Sequence, residues 1–277
     1  MDHVLLPPSD QTFTRYQDLI KLHTGIYLPP HKKTLLHSRL SKRLFASAMA
    51  SYDDYFELLV SSAGKNELKA ALELVTTNET YFFREPAHFD FMKDLLDCQP
   101  RTGERYRVWS AASSSGEEAY SLAMVLQSHC SKPWELLASD INQTVITDAK
   151  KGIYLNQRTS MIPQEFLNKY CRKGVGEFEG YLRVAPELRN RVQFDTLNLM
   201  GQLKGLGKFD IIFIRNVMIY FDDETRGSIL RKLSKHLKPS GWLFVSHSES
   251  LHGVSDDYYS IKPSIYRLAA YRDEHKI

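Results

Sequence analysis

Residues 107–127 read RVWSAASSSGEEAYSLAMVLQ, and this stretch decides the fold. It opens as a short apolar strand, passes through a loop of very small side chains, and continues as a helix with two acids in its first turn. Strand, small loop and helix in this order are typical of the first unit of a doubly wound α/β domain. In such a domain the ligand lies where the first strand turns into the first helix. The stretch therefore predicts a parallel sheet and the location of its site.

The same alternation of strand and helix continues toward the C-terminus. Three further strands are predicted, at residues 135–140, 209–214 and 241–245. Two further helices are predicted, at residues 144–151 and 224–237. Short apolar runs that alternate with helical patterns favour a parallel sheet covered on both faces. We therefore predict a doubly wound, Rossmann-like α/β domain over residues 89–277.

One segment, at about residues 154–195, interrupts this alternation. It holds a helix-like piece, a glycine turn and three strand-like runs, at residues 170–173, 181–185 and 192–194. Such runs predict a small antiparallel sheet inserted into the domain. A sheet of this size must pack on the main domain, and we expect it to add nothing to the cofactor site.

The N-terminal part has a different pattern. Apolar residues recur at spacings of three and four through residues 10–75, interrupted by Pro29 and Pro30 and again by Gly64. We therefore predict an all-α domain over residues 1–75, followed by a linker at residues 76–88.

Composition excludes several classes of protein. Among 277 residues, 36 Lys and Arg face 33 Asp and Glu, so the net charge of +3 gives no sign of nucleic-acid binding. The three cysteines are widely spaced, which argues against a disulfide framework and a zinc site and indicates a reducing compartment. No apolar run is long enough to span a membrane, and the N-terminus lacks a secretory pattern. We expect a cytoplasmic protein without a metal.

The loop at residues 110–116 and the acids near it indicate the type of ligand. Small side chains let backbone amides approach a cofactor closely. The phosphate-binding patterns GxGxxG and GxxxxGK[ST] are absent, so a pyrophosphate is not expected. Glu117 and Glu118 favour a cation, and Asp140 ends the second strand, where an acid accepts hydrogen bonds from ribose. These features suggest S-adenosylmethionine, although the helix dipole alone also favours first-turn acids.

Five longer segments resemble one protein family. They are NETYFFREP at residues 78–86, AASSSGEEAYSLA at 111–123, ASDIN at 138–142, RNVMIYFD at 215–222 and GWLFVSHSESL at 241–251. In this order, and over nearly the whole chain, they closely resemble the chemoreceptor glutamate methyltransferases, the CheR family. The resemblance implies methyl transfer from S-adenosylmethionine to glutamate side chains on cytoplasmic helices of bacterial chemoreceptors. The products would be γ-carboxyl methyl esters and S-adenosylhomocysteine.

The resemblance also assigns the methionine end of the cofactor. It places Asn78, Thr80 and Arg84 there, where a guanidinium suits a carboxylate. The alternative for Arg84 is an ordinary surface arginine. The cationic side of the cofactor falls to Glu118, although Glu117 can exchange roles with it.

The rest of the cofactor is assigned in the same way. The resemblance gives the ribose to Asp140 and the positions beside the adenine to Asn198 and Leu199. Propensity alone would make Asn198 a simple turn residue. The resemblance also places Arg215 and Asn216 among the cofactor-binding residues, at the end of the central strand beside the substrate.

The implied reaction needs no general base, because a glutamate carboxylate is already ionised at neutral pH. Positioning and desolvation therefore supply the rate. The catalytic candidates are Tyr220 and Arg84. Tyr220 would steer the carboxylate or support the sulfonium, and the alternative is a packed aromatic side chain. His247 lacks a GxSxG elbow, and we interpret it as structural.

Receptor recognition is predicted first in the N-terminal domain. Residues 21–43 contain six Lys or Arg and neither Asp nor Glu. Arg39 and Arg43 lie four positions apart and share one helix face. We predict that this face meets acidic receptor helices, and the alternative is a solvated basic face.

A second recognition site is implied for the inserted sheet, which in the family binds a C-terminal pentapeptide of some receptors as an additional strand. Gly174 and Gly176 would permit close backbone approach, and Arg183 would pair with peptide carboxylates. The alternative is a plain hairpin whose turns require glycine.

Two other functions compete with receptor methylation. A nucleic-acid methyltransferase usually carries an Asn/Asp-Pro-Pro-aromatic motif after a central strand, and residues 215–218 read RNVM instead. A non-catalytic cofactor-binding partner module is the other alternative, and the full set of pocket residues disfavours it. We expect a monomer that binds chemoreceptors, without nucleic acid and without direct membrane insertion.

Overall fold

The computed structural model describes residues 5–98 and 103–272. The chain forms two compact units. One unit comprises Met1–Thr77 together with Tyr220–Asp222, and the other comprises Asn78–Ile219 together with Asp223–Ile277.

The first unit is helical. Its α-helices are α1 (Asp10–Thr24), α2 (Lys33–Ala46), α3 (Tyr52–Val60) and α4 (Lys65–Val75). Serines cap two of them, because the Ser9 and Ser51 hydroxyls accept hydrogen bonds from the amides of Thr12 and Asp54 at 3.0 and 3.1 Å. Leu36, Leu40 and Leu44 of α2 are buried in the core of this unit, as their spacing predicts.

The second unit alternates strands and helices. Its helices are α5 (Pro86–Asp97), α6 (Glu117–His129), α7 (Gln143–Lys151), α8 (Gln164–Tyr170), α9 (Pro186–Arg189) and α10 (Asp223–His236). Its strands are β1 (Tyr106–Ser110), β2 (Trp134–Asp140), β3 (Ile153–Leu155), β4 (Cys171–Lys173), β5 (Tyr181–Val184), β6 (Val192–Thr196), β7 (Phe209–Phe213), β8 (Leu237–Phe244), β9 (Tyr258–Lys262) and β10 (Ile265–Leu268).

Seven strands form the main sheet, in the order β6-β2-β1-β7-β8-β10-β9. The first five are parallel, and β10 is antiparallel to both β8 and β9. From β1 the chain runs outward to β2 and β6 on one side, and β7 and β8 lie on the other side. The order therefore reverses between β1 and β7, and a doubly wound sheet binds its ligand at the carboxyl ends of the strands beside such a reversal. The predicted doubly wound domain is confirmed.

Three strands form a small antiparallel sheet in the order β3-β5-β4, so the predicted inserted sheet is also confirmed. One predicted member was wrong, because the run at residues 192–194 belongs to β6 and pairs in parallel with β2 of the main sheet. The third strand of the small sheet is β3 instead. An alternating apolar pattern shows that a segment is a strand with one buried face, but it does not specify which strand pairs with it.

Over the described ranges 5–98 and 103–272, we find no helix with both the length and the apolar character that crossing a membrane requires.

Candidate active site

The loop between β1 and α6 lies at the reversal of strand order. Its backbone is bonded to both neighbouring strands, since Ala111 N donates to Phe213 O at 2.8 Å and Ser113 N donates to Ser139 O at 2.9 Å. Gly116 ends the loop with φ of 94°. A Cβ at Gly116 would lie 2.9 Å from the Ala149 Cβ, so this position requires glycine for both conformation and space.

Asp140, at the end of β2, binds this loop. One carboxylate oxygen accepts a hydrogen bond from Ser114 N at 2.9 Å, and the other accepts from Asn142 N at 3.0 Å. Burial raises the pKa of Asp140, and these backbone hydrogen bonds act in the opposite direction. A carboxylate has about four lone-pair positions, so Asp140 can fix the loop and still accept from a ribose hydroxyl.

Glu118 and Arg215 meet at the ends of the two central strands. Glu118 accepts from the Ser110 hydroxyl at 2.7 Å, and its other oxygen lies 3.1 Å from Arg215 Nη1. Arg215 also donates to the Arg84 carbonyl at 2.5 Å and lies 3.2 Å from the Glu85 carboxylate. Burial raises the pKa of Glu118, whereas the Arg215 guanidinium lowers it. With both carboxylates ionised, one guanidinium leaves a single net negative charge, which favours a cationic ligand.

The structure distinguishes Glu117 from Glu118, which the sequence does not. The Glu117 side chain is fully buried, accepts from the Ser115 hydroxyl at 2.7 Å and is paired with Arg158. Burial raises the pKa of Glu117, and Arg158 acts in the opposite direction. Glu118 is the acid that lies among the strand ends, whereas Glu117 is enclosed.

The segment that contains Asn78, Thr80 and Arg84 lies against the same loop. The Asn78 carbonyl accepts from the Ser114 hydroxyl at 3.0 Å, and the Thr80 carbonyl accepts from Arg158 at 3.2 Å. The half-buried Arg84 side chain donates to the Glu79 carbonyl at 3.2 Å. Of the predicted methionine-end residues, Asn78 therefore contacts the β1–α6 loop directly, Thr80 contacts Arg158, and Arg84 contacts Glu79 and Arg215.

The inserted segment contacts this loop, whereas the sequence predicts only that the small sheet packs on the main domain and adds nothing to the cofactor site. The Tyr154 hydroxyl of β3 donates to the Ser115 carbonyl at 2.7 Å. Arg158, just beyond β3, contacts Ser115 Oγ at 3.2 Å in addition to pairing with Glu117. These contacts join residues about 40 positions apart, which a local sequence pattern does not reveal.

The turn at Asn198 and Leu199 lies next to Asp140, because Leu197 N donates to the Asp140 carbonyl at 2.9 Å. The Asn198 side chain accepts from Met200 N at 2.9 Å, which is the contact of a turn residue. Lys232 of α10 donates to the Leu199 carbonyl at 3.1 Å and thereby fixes the turn.

Two carboxylates near Asn216 were not predicted, although both lie in the segments that carry the family resemblance. Glu249 accepts from Asn216 N at 3.1 Å. Glu85 accepts from the Ser246 hydroxyl at 2.8 Å, and that hydroxyl also accepts from the Asn216 side-chain amide at 2.8 Å. Burial acts to raise the pKa of Glu85, but Arg215 and Ser246 together hold it below its ordinary value.

Glu85, His88 and His247 form a cluster whose potential ligand atoms lie within 4.8 Å of one another. The Ser264 hydroxyl joins the two imidazoles, at 2.6 Å from His88 Nε2 and 3.1 Å from His247 Nδ1. Burial lowers the pKa of His88 to about 4, so this imidazole is neutral at neutral pH. Arg215 already supplies a positive charge 3.2 Å from Glu85, so this carboxylate has a cationic partner within the protein.

Tyr220 belongs to the first unit, where its carbonyl accepts from Tyr27 N at 2.8 Å. The structure therefore does not group it with the residues above. Arg39 and Arg43 also belong to the first unit, and both are bonded within it. Arg39 donates to the Val75 and Thr76 carbonyls at 2.6 and 2.7 Å, at the end of α4.

Arg43 is paired with Glu67, which also accepts from the Tyr55 hydroxyl at 2.6 Å. Both arginine side chains are half-buried, so the predicted basic face is partly committed to packing α2 against α4.

The small sheet contains the remaining predicted residues. A Cβ at Gly174 would lie 1.9 Å from the Phe178 carbonyl, so the turn itself requires this glycine. Gly176 has φ of 61° and open space around it. Arg183 is exposed and lies directly opposite Arg172 in the pairing of β5 with β4. Arg172 lies 3.3 Å from the Glu187 carboxylate, which offsets its charge.

These features fit S-adenosylmethionine. The small loop admits a closely bound ligand, buried Asp140 offers acceptor positions, and Glu118 presents negative charge beside the strand ends.

Comparison with known proteins agrees with the geometry. The model of the CheR methyltransferase all-alpha domain matches residues 11–76, and that of the CheR methyltransferase SAM-binding domain matches residues 78–267. The chain is 40% identical to the chemotaxis protein methyltransferase of Escherichia coli, over 94% of this chain and 92% of that one. It is 35% identical to chemotaxis protein methyltransferase 2 of Pseudomonas aeruginosa, over 94% and 93% of the two chains. The chain therefore belongs to the CheR methyltransferase family, and its second unit is an S-adenosylmethionine-binding domain.

Proposed function

We propose that this chain transfers the methyl group of S-adenosylmethionine to glutamate side chains of bacterial chemoreceptors, giving glutamate methyl esters for chemotactic adaptation. The observation that carries the proposal is the pairing of Glu118 with Ser110 and Arg215 at the carboxyl ends of the central strands, in a chain of this family. Each relative compared above is a chemotaxis protein methyltransferase.

The residues that would hold the cofactor surround the β1–α6 loop. Glu118 would face its cationic groups, Asp140 its ribose, and Asn198 and Leu199 its adenine. Arg84 would bind its carboxylate. The guanidinium of Arg84 has five N–H donors, and the one hydrogen bond found for it among the described residues is to Glu79, so donors remain for an anion. When bound, S-adenosylmethionine supplies a methyl group made electrophilic by a cationic sulfur.

The protein's own residues position the substrate and exclude water. The acceptor carboxylate is ionised at neutral pH, so the protein has no proton to remove from it. The buried Arg215 guanidinium is matched by Glu118 and Glu85, so Arg215 organises the strand ends instead of presenting free positive charge. We retain Tyr220 and Arg84 as candidates for steering the acceptor carboxylate.

Receptor recognition is proposed on both units. In the first unit, Arg39 and Arg43 hold α2 in place, and the exposed Lys32 and Lys42 extend the basic segment toward acidic receptor helices. In the second, the exposed Arg183 and the exposed apolar side chains of the β4–β5 turn would bind a receptor C-terminal pentapeptide.

Incubation of the protein with S-adenosylmethionine labelled in its methyl group and with chemoreceptor-containing membranes tests the proposal. We expect label in a membrane protein of receptor size that mild base releases, because carboxyl methyl esters hydrolyse readily. Glu118→Gln should lose most of this label, whereas Glu165→Gln, an equal change of charge at an exposed position, should keep it. Label in nucleic acid would favour the nucleic-acid methyltransferase. Cofactor binding without any labelled product would favour the non-catalytic module.

A further inference from the structure

Glu249 lies just after β8, is 8% exposed, and accepts four backbone hydrogen bonds. One oxygen accepts from Met218 N at 2.9 Å and from Ile219 N at 3.3 Å. The other accepts from Asn216 N at 3.1 Å and from Ser246 N at 2.9 Å. Three of the four donors belong to the loop that follows β7.

We propose that Glu249 is a positioning residue for methyl transfer and that it fixes the Arg215–Ile219 loop at the end of the central strand. This inference rests on the function proposed above. Asn216 adopts φ of 57°, a left-handed conformation that asparagine tolerates better than most residues, and two contacts hold it there. Glu249 binds the Asn216 amide, and the Asn216 side chain donates to Ser246 at 2.8 Å. The loop is thus anchored at its left-handed residue through both the backbone and the side chain.

The charge of Glu249 matters because all four partners are donors. An ionised carboxylate only accepts hydrogen bonds, and its two oxygens can accept all four. Glutamine has the same shape, but its NH2 group replaces one of the two carboxylate oxygens. Two of the four backbone amides would then face another hydrogen-bond donor instead of an acceptor. Buried donors without an acceptor are costly, and the loop would relax to find new partners.

The geometry also separates the effect on the loop from any effect on the cofactor. Arg215 is bound through Glu118, Glu85 and the Arg84 carbonyl, and none of these contacts involves Glu249. Asp140 and the β1–α6 loop are hydrogen-bonded to each other through Ser114 N, and this contact also does not involve Glu249. Loss of the Glu249 charge should therefore disturb the Asn216–Ile219 part of the loop while Glu118, Asp140 and the β1–α6 loop keep their places.

Glu249→Gln tests the inference, with Glu165→Gln as an equal change of charge at an exposed position. Hydrogen exchange followed by mass spectrometry reports on the loop amides without reference to activity. We expect exchange in a peptide covering the loop to accelerate by about tenfold or more, the factor for about 1.4 kcal/mol, with β1 and β2 unchanged. We expect kcat for receptor methylation to fall by about tenfold, while the Kd for S-adenosylhomocysteine changes by less than about threefold.

Unchanged exchange in the loop, or an equal fall in kcat for Glu165→Gln, overturns the inference. If Glu249→Gln does not fold, Glu249→Asp decides, because it keeps the charge and withdraws the carboxylate by about 1.5 Å. It should show the same pattern to a smaller degree, and wild-type exchange with wild-type kcat would again overturn the inference. If the wild-type protein methylates no receptor, the proposed function fails, and the exchange comparison alone then decides whether Glu249 fixes the loop.

Discussion

Replacement of Arg215 by methionine should destabilise the second unit, and by more at higher pH. The Arg215 side chain is 1% exposed, and it pairs with the carboxylates of Glu118 and Glu85, whose side chains are 11% and 15% exposed. Methionine preserves most of the volume but leaves two buried carboxylates without a counter-charge. Removal of one partner of a buried ion pair costs about 3 to 5 kcal/mol, and the slight exposure of both acids favours the lower end, about 3 kcal/mol.

The sign of the pH dependence follows from the two acids. Burial raises the pKa of Glu118 while Arg215 lowers it, so loss of Arg215 raises this pKa further. A raised native pKa gives stability that is present at low pH and is lost as pH rises through the native value. The pKa of Glu85 is held below its ordinary value partly by Arg215. A lowered native pKa stabilises the folded state at higher pH, and the variant loses the part of this stabilisation that depends on Arg215. Both effects make the variant's loss of unfolding free energy larger at neutral pH than in acid.

Urea denaturation followed by tryptophan fluorescence measures this deficit in the relevant unit. All three tryptophans, at positions 109, 134 and 242, lie in the second unit. The deficit should be about 3 kcal/mol near pH 7.5 and clearly smaller near pH 5. Arg215→Lys, which keeps the charge, should lose less and show a weaker pH dependence. Arg231→Met, at an exposed position of α10, should change stability little. A deficit that is equal at both pH values, or larger in acid, would refute the reasoning.

Three further predictions concern single residues. Asp140→Asn should weaken S-adenosylhomocysteine binding by about 1 to 3 kcal/mol in calorimetric titration, and unchanged affinity would remove Asp140 from the proposed site. Arg39→Ala should destabilise the first unit by about 1 to 3 kcal/mol, because the Val75 and Thr76 carbonyls lose their hydrogen-bond donor. The effect should appear as faster hydrogen exchange at the end of α4, and exchange at the wild-type rate would contradict it. Gly174→Ala should abolish binding of a synthetic receptor pentapeptide while cofactor affinity stays constant, because the Cβ of the alanine would overlap the Phe178 carbonyl in the β4–β5 turn. Retained peptide binding would contradict the proposed docking.

The main fold could be predicted from sequence because its determinants are local. Apolar runs, helix starts and the loop of small residues each fall within about ten positions, and their order alone indicates a doubly wound sheet. The pairing of β6 with β2 was missed because the alternating pattern of β6 is the same in either sheet. Pairing partners depend on contacts across the chain, which a single sequence pattern does not contain.

The roles of the site's acidic residues also depend on contacts between distant parts of the chain, which the sequence alone does not reveal. Glu117 and Glu118 are adjacent, and successive helix residues point about 100° apart, so only the packing of α6 decides which of them meets Arg215. Glu249 contacts loop amides about 30 positions away, and Arg39 reaches carbonyls more than 35 positions away. Side-chain bonds to distant backbone groups leave no local signature.

The bond between Arg158 and Glu117 limits how this protein can be re-engineered. Glu117 is fully buried in the first turn of α6, and its cationic partner comes from just beyond β3. A shortened variant that deletes the small sheet together with Arg158 would leave that carboxylate enclosed and without a counter-charge. A chimera that exchanges the small sheet together with the segment just beyond β3 must therefore keep a cation opposite Glu117, so this sheet cannot be exchanged independently of helix α6.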